Sequence, residues 1–329
     1  PKWHKTALER CWRGQRGAKK EKVMPELPEV QTTVNGLNKV LKGKKITAIW
    51  SAYNSPHYKG KENIKDKKYF LRFRKNTLNS PVLGTDRVGK NILIHLKNGV
   101  TVLIHMKMTG HLLYGKYEKR KEEWEASEKG PLQDPFNKHI RLVFELNNGK
   151  HVVLSDMRKF AKVMYIKTKD LERHSDLLSV APDSFKLSQN EFVKRLRNKK
   201  SGKIKSILMD QALVSGIGNI YSDEILFETN IHPETDIDAV DNKKLEEIWR
   251  VSRKILERGI NLGGDSMSDY RNIKGEKGKF QNKHKVYRKT GERCLKKNCP
   301  GKIKRKVIGG RSAHFCNRHQ KLIKTKKRK

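Results

Sequence analysis

The chain has 329 residues, enough for two domains with cores of their own, and carries 75 Lys and Arg against 35 Asp and Glu. The resulting formal charge of +40 points to a polyanionic partner, because each phosphate met by a Lys or Arg releases condensed counterions. No apolar run reaches the ~18 residues of a membrane-spanning helix, the opening residues lack the apolar stretch of a secretory signal, and three of the four cysteines crowd toward the C-terminus, so a reducing cytoplasm and a metal site are expected rather than disulfides.

Residues 1–23 are basic and aperiodic, and read as an extension or as upstream sequence translated from too early a start. Folded structure is expected from Met24. Leu27, Val30, Val34, Leu37 and Leu41 repeat at helical spacing, with Gly43 as a stop. A period of two follows, with Ile46, Ala48 and Trp50 on one face and Thr47 and Ile49 on the other. NILIHLKNGVTVLIHM predicts a hairpin turning at Asn98-Gly99, and HIRLVFELNNGKHVVLSD a second turning between Asn147 and Gly149. The charged stretch 115–137 between them reads as a loop. From about Asp170 the pattern is helical, with apolar stripes over 187–196, 204–214, 220–229 and 243–258; only Ser215-Gly216-Ile217-Gly218 separates the second from the third. Gly263 to Asn282 is polar and Gly-rich, a long loop of the kind that is usually functional.

Near the end stand Cys294, Cys299, Cys316 and His319: C-x4-C, a 16-residue gap, then C-x2-H. Two close pairs of such ligands around a hairpin-length insert suit one structural, tetrahedral Zn2+. A module this small lacks a core, so the metal supplies its folding energy. The insert holds Gly309-Gly310 followed by Arg311, a rigid hairpin shaped to enter a nucleic-acid groove.

The segment MPELPEV carries the reactive chemistry. Removal of Met24 leaves Pro25 with a free secondary amine, whose pKa lies far below that of Lys, so that it is partly neutral at pH 7 and able to attack a sugar carbon. Glu26 and Glu29 lie within one helical turn of that nitrogen, where a carboxylate can shuttle protons or face the helix N-terminus. The plainer reading is a helix start, with Pro and acids in the first turn. As the sequence stands Pro25 is internal, so the amine chemistry requires a start at Met24 or removal of the extension.

MPELPEV, the lysine of VGKNILIHL, HMKMTGHL, DMRKF, LMDQALVSGIGNIYSDEILF, NIHP, GGDSMSDYRNIKGEKGKFQNKHKVY and the terminal Cys/His module occur in order, and together they resemble the formamidopyrimidine-DNA glycosylase / endonuclease VIII family, from Met24 to about Gln320. The resemblance implies an α+β fold: an N-terminal antiparallel β-sandwich with a leading helix (24–165), a helix-two-turn-helix domain with a lesion-covering loop (166–283), a β-hairpin zinc finger (284–320) and a basic tail (321–329). It implies a bifunctional enzyme that removes oxidised purines from damaged double-stranded DNA and cuts the strand by β,δ-elimination, as a monomer held on the nucleoid. Pro25 would be the Schiff-base nucleophile, Glu26 the general acid and Glu29 a supporting carboxylate. Lys90 would contact phosphate or donate a proton. Met108, Arg158 and Phe160 would fill the hole left by the flipped nucleotide. Lys159, Lys200, Lys205 and Asn219 would hold phosphates, and Arg311 would assist δ-elimination. Against the family pattern, His319 replaces a cysteine, the first ligand pair is spaced more widely, DMRKF replaces a DPRRF-type run, and Lys107 stands where glycine is common. Two other readings remain: an endonuclease-VIII-like enzyme for oxidised pyrimidines, and a non-catalytic zinc-dependent DNA-binding protein.

Overall fold

The computed structural model describes residues 24–267 and 269–323, so the expected extension at 1–23 lies outside the described residues, as does all of the basic tail beyond Ile323. Helix α1 (Leu27–Leu41) opens with the Glu26 N–H donating back to the Glu29 carboxylate at 2.8 Å. Its stripe of Leu27, Val30, Val34, Leu37 and Leu41 is buried throughout, each side chain contributing on the order of 1.5–3 kcal/mol.

Ten strands and a second helix complete the N-terminal body: β1 (Ile46–Ser51), α2 (Lys67–Thr77), β2 (Val82–Val88), β3 (Asn91–Leu96), β4 (Val100–His105), β5 (Gly110–Gly115), β6 (Tyr117–Arg120), β7 (Glu123–Ala126), β8 (Ile140–Leu146), β9 (His151–Asp156) and β10 (Lys162–Lys167). Two antiparallel sheets, ordered β1-β8-β9-β5 and β10-β4-β3-β2, enclose a core of Ile49, Leu112, Phe144 and Leu154 against Ile92, Ile94, Val102 and Ile104. Both hairpins turn where expected. Strands β3 and β4 are buried on consecutive residues rather than alternate ones, because α1 and α2 cover their outer face.

Three local expectations are corrected. A bulge between Ile46 and Ala48 shifts the register of β1, so Ile46 and Ile49 share the main core while Trp50 turns to an outer cluster with Trp124. The charged stretch 115–137 contains the β6–β7 hairpin. Helix α2 was not foreseen: it is capped by the Asp66 carboxylate on the Tyr69 N–H and buries only Tyr69, Phe73 and Thr77.

The second body contains α3 (Ser175–Leu178), α4 (Gln189–Arg197), α5 (Ile204–Leu208), α6 (Asn219–Glu228) and α7 (Asn242–Asn261). The expected 204–214 helix stops at Leu208. Beyond it the Asp210 carboxylate takes the Ala212 N–H, and the Gln211 amide binds the Met209 and Ile217 carbonyls and the Gly216 N–H. A hairpin of β11 (Ile303–Ile308) and β12 (Arg311–Cys316) closes the chain through Gly309 and Gly310, both at positive φ. Order continues past the expected boundary at residue 321, since Lys321 pairs with Ile231 and the Ile323 N–H reaches Thr235.

Candidate active site

The start of α1 meets the start of α6. The Leu27 N–H donates to the Gly216 carbonyl at 3.0 Å, and Pro25 is buried beside it. The Glu26 carboxylate accepts the N–H groups of Gly218 at 2.7 Å, Ile220 at 2.9 Å and Tyr221 at 3.4 Å, so it occupies the positive end of α6. That seat explains the glycine: a Cβ at Gly218 would lie 2.4 Å from the Glu26 Cδ. One layer deeper, Glu29 accepts the Tyr221 hydroxyl at 2.9 Å and the Asp265 N–H at 2.6 Å. Asp265 opens the 263–282 loop, and His284, just past its end, lies 2.7 Å from the Asp265 carboxylate.

Burial raises the pKa of Glu26 against the opposing pull of Lys90 and the three N–H groups. Glu29 is pushed up to about 8, first by burial and then by Asp265 and Glu26. Lys90 lies in the β2–β3 turn, with its ammonium 3.3 Å from the Ile217 carbonyl and its side chain only 6% exposed. Burial lowers its pKa, Glu26 and Glu29 oppose that, and Arg311 adds repulsion. The ammonium is therefore buried within the electrostatic reach of Glu26 and Glu29.

Residues far apart in sequence gather at a second point. Met108, in the turn after β4, receives the Arg158 guanidinium at 3.5 Å on its sulfur, and Arg158 lies over the Phe160 ring at 4.5 Å. Phe160 is 46% exposed, and Arg158 and Lys159 are also exposed. Lys107 and Lys159 both adopt positive φ, 55° and 56°. Only glycine enters this region without cost, so both lysines carry backbone strain.

Asn219 does not cap α6 with its side chain; its amide instead donates to the Ser312 hydroxyl on β12 at 3.3 Å. Arg311 is exposed at the start of β12, and Lys200 is exposed beyond α4. Lys205 does not fit its expected role. Its side chain is fully buried and its ammonium lies 2.6 Å from the Asp223 carboxylate, itself fully buried and 3.0 Å from His314 Nδ1. A phosphate cannot reach it; the lysine braces α5, α6 and β12 together instead. Tyr221, Asp223, Asp265 and His284 were missed, because their partners are distant in sequence.

The ligand atoms of Cys294, Cys299, Cys316 and His319 all lie within 4.8 Å of one another. The Cys299–Cys316 sulfur separation of 3.6 Å is close to the ~3.8 Å edge of a tetrahedron with ~2.3 Å metal–sulfur bonds. His319 turns Nδ1 toward the Cys294 sulfur at 3.3 Å, while its Nε2 lies 3.3 Å from the Phe227 carbonyl, the outer contact that orients a ligating imidazole. The Lys296 and Arg318 N–H groups point at the sulfurs of Cys294 and Cys316. These four residues could hold a metal ion.

Comparison with known proteins agrees with this geometry. The model of the formamidopyrimidine-DNA glycosylase N-terminal domain matches residues 24–163, and that of the formamidopyrimidine-DNA glycosylase H2TH domain matches 178–271. Formamidopyrimidine-DNA glycosylase from Pelotomaculum thermopropionicum is 32% identical over 91% of this chain and 100% of its own length. The enzyme from Mycoplasmopsis pulmonis is 33% identical over 91% of this chain and 98% of its own. Among solved structures, a Lactococcus lactis FPG mutant in complex with DNA containing Fapy-dG aligns with TM-score 0.73 and 29% identity, covering 89% of this chain and 98% of that one. The MutM (FPG) protein of Thermus thermophilus aligns with TM-score 0.70 and 27% identity over 89% and 97%. By sequence along nearly its whole described length, and by fold, this chain belongs to the formamidopyrimidine-DNA glycosylase family.

Proposed function

We propose that the chain excises oxidised purines from duplex DNA and then cuts the abasic strand, with the imino nitrogen of Pro25 as the nucleophile. The observation that carries this reading is the Glu26 carboxylate, one residue from Pro25 and held by the N–H groups of Gly218 and Ile220. The Pro25 lone pair attacks the sugar C1′, the bond to the base breaks with its electrons, and the departing base takes a proton. Burial raises the pKa of Glu26, which favours a carboxyl able to deliver protons at the sugar. The C1′–O4′ bond of the ring-closed adduct then opens, O4′ taking a proton from Glu26 and the Pro25 lone pair forming the iminium; from it, loss of a C2′ proton expels the 3′ phosphate, a second elimination expels the 5′ phosphate, and water releases the enzyme.

A base within the duplex cannot be reached until it is flipped out, at a cost of a few kcal/mol. Met108, Arg158 and Phe160 form an exposed cluster suited to occupy the gap. Asn219, Arg311, Lys159 and Lys200 grip phosphates, and the 263–282 loop covers the extruded base. One Zn2+ held by Cys294, Cys299, Cys316 and His319 would fix the hairpin that presents Arg311. The relatives solved with damaged DNA, including an abasic-site complex of the Lactococcus lactis enzyme, support DNA as the partner here.

Borohydride trapping tests the assignment. A form beginning at Pro25 and the full 329-residue form are each incubated with duplexes containing 8-oxoguanine or thymine glycol. The expected result is a covalent adduct on 8-oxoguanine DNA, only with the form beginning at Pro25, mapping to Pro25 by peptide mass. An adduct of the full-length form at another residue, or none with either form, refutes the chemistry; preference for thymine glycol refutes the purine assignment.

A further inference from the structure

Lys65 is a buried cation outside the catalytic cluster. Its side chain is 4% exposed, and no carboxylate lies within ion-pair distance of it among the described residues. Its ammonium donates to the Lys159 carbonyl at 2.7 Å and sits 4.8 Å from the Tyr58 ring centroid and 5.3 Å from that of Tyr53. The backbone behind it is fixed too: Ser55 donates to the Lys65 carbonyl, the Lys65 N–H reaches the Asn63 side chain, and Ile64 donates to the Val163 carbonyl, each at 3.1 Å. A charge buried this way is costly unless its donors are used, and its one hydrogen bond is spent on the loop carrying Arg158 and Phe160.

That loop is held at both ends by Asp156, whose carboxylate accepts the Thr109 hydroxyl at 2.5 Å, the Tyr53 hydroxyl at 2.8 Å and the Ala161 N–H at 2.8 Å, and whose carbonyl accepts the Lys159 N–H at 3.3 Å; Thr109 in turn accepts the Arg158 N–H at 3.1 Å. None of these bonds sets the peptide joining Lys159 to Phe160, and Lys159 stands at φ 56°, where a non-glycine residue is strained. We infer that Lys65 is a positioning residue for base flipping: by binding the Lys159 carbonyl within the Tyr53–Tyr58 cage, it holds the strained loop that aims Phe160 and Arg158 into the duplex. This rests on the proposed role of Met108, Arg158 and Phe160. The ammonium fixes the peptide plane, the plane fixes the Phe160 ring, and Arg158 stacks on that ring.

The test reads the inserted side chains without any catalysis. Duplex DNA carrying an uncleavable tetrahydrofuran abasic analogue opposite 2-aminopurine is titrated with wild-type protein, Lys65→Met, Lys65→Arg and Tyr58→Ala. Insertion unstacks the 2-aminopurine and brightens it. Lys65→Met keeps the apolar stem and is expected to lose at least half of the brightening at saturation, with affinity changed less than five-fold; Lys65→Arg restores most of it. Tyr58→Ala, at a half-buried ring, is expected to fall between and serves should Lys65→Met not fold. In the form beginning at Pro25, Lys65→Met should slow 8-oxoguanine excision in duplex at least ten-fold and leave trapping on single-stranded abasic DNA within two-fold. Full brightening in Lys65→Met, or in Tyr58→Ala where the former does not fold, overturns the inference. Equal loss on both catalytic substrates overturns it too, since a fold defect would act on both. Absence of brightening in the wild type overturns the reading of Met108, Arg158 and Phe160 on which it depends.

Discussion

Gly218→Ala should uncouple base removal from strand cutting. The backbone at Gly218 (φ −132°) is open to any residue, so the only new element is a methyl group. That Cβ would lie 2.4 Å from Glu26 Cδ, 2.6 Å from Oε1 and 2.8 Å from Cγ, against ~3.5 Å for ordinary contact, so the carboxylate must retreat by about 1 Å. Its bonds to Gly218 and Ile220, now 2.7 and 2.9 Å, would then pass the limit of a hydrogen bond. Two bonds to a charged group are worth ~1.5–3 kcal/mol each, and a ~1 Å misplacement by itself can cost ~10²-fold in rate. Single-turnover excision of 8-oxoguanine should therefore fall on the order of 10²-fold. Nicking of a pre-formed abasic site, which needs no base protonation, should stay within a few fold. The assay compares both substrates in the form beginning at Pro25, with helicity checked by circular dichroism. Unchanged excision, or equal loss on both substrates, would refute the assignment of Glu26 to the base-loss step.

Three further outcomes are expected. Glu29 titrates near 8 folded and near 4.5 unfolded, so its contribution is intact below pH 4.5 and is lost as pH rises through 8; in urea titrations from pH 5 to 8.5, stability of Glu29→Gln relative to wild type should rise by a few kcal/mol, and parallel curves would contradict the shift. Lys205→Met should cost ~3–5 kcal/mol by taking the lysine cation from the buried Asp223, which keeps only His314, yet leave the salt dependence of DNA binding unchanged; a slope lower by about one would mark Lys205 as a phosphate contact after all. Cys316→Ser, or chelation, should release one zinc by mass spectrometry, lower the melting temperature and weaken duplex binding; retained binding after metal loss would speak against a zinc-supported hairpin.

What could be read from the sequence follows how local each signal is. Helix α1 and both hairpins were legible because a 3.6-residue stripe and Asn-Gly turns act within a few residues. The Cys/His spacing was legible because metal geometry limits ligand placement. Helix α2 was hidden by charge: KKYFLRFRKNT buries only three side chains, and its cap belongs to Asp66. The bulge at Ile46/Ala48 left the apolar residues in place but changed which face each occupies. Met108, Arg158 and Phe160 came from family resemblance alone, since nothing in a linear pattern joins residues from two separate turns. Lys205 was misread because a lysine in a basic chain looks solvated, and its counter-ion lies on another helix.

Helix α6 shows why such misreadings concentrate in one place. An ordinary surface helix has an apolar stripe and a wet face, and a stripe was expected over 220–229. Instead every residue from Ile220 to Phe227 is buried, including Ser222, Asp223 and Glu224. Each acid there has a structural target: Asp223 takes Lys205 and His314, and Glu224 takes the N–H groups of Lys285, Val286 and Tyr287, in the segment leading to the Cys/His module. The N-terminus of the same helix seats Glu26, its Tyr221 hydroxyl reaches Glu29, and its C-terminal carbonyl at Phe227 meets His319. One rod thus touches the carboxylate beside Pro25, the β11–β12 hairpin and the metal-ligand cluster. Buried polar contacts add little net stability compared with apolar packing, but they permit only one arrangement. A site assembled from two domains and a small hairpin needs that registry more than it needs extra stability. A slip of α6 by one residue would displace Glu26, Asn219 and His319 together.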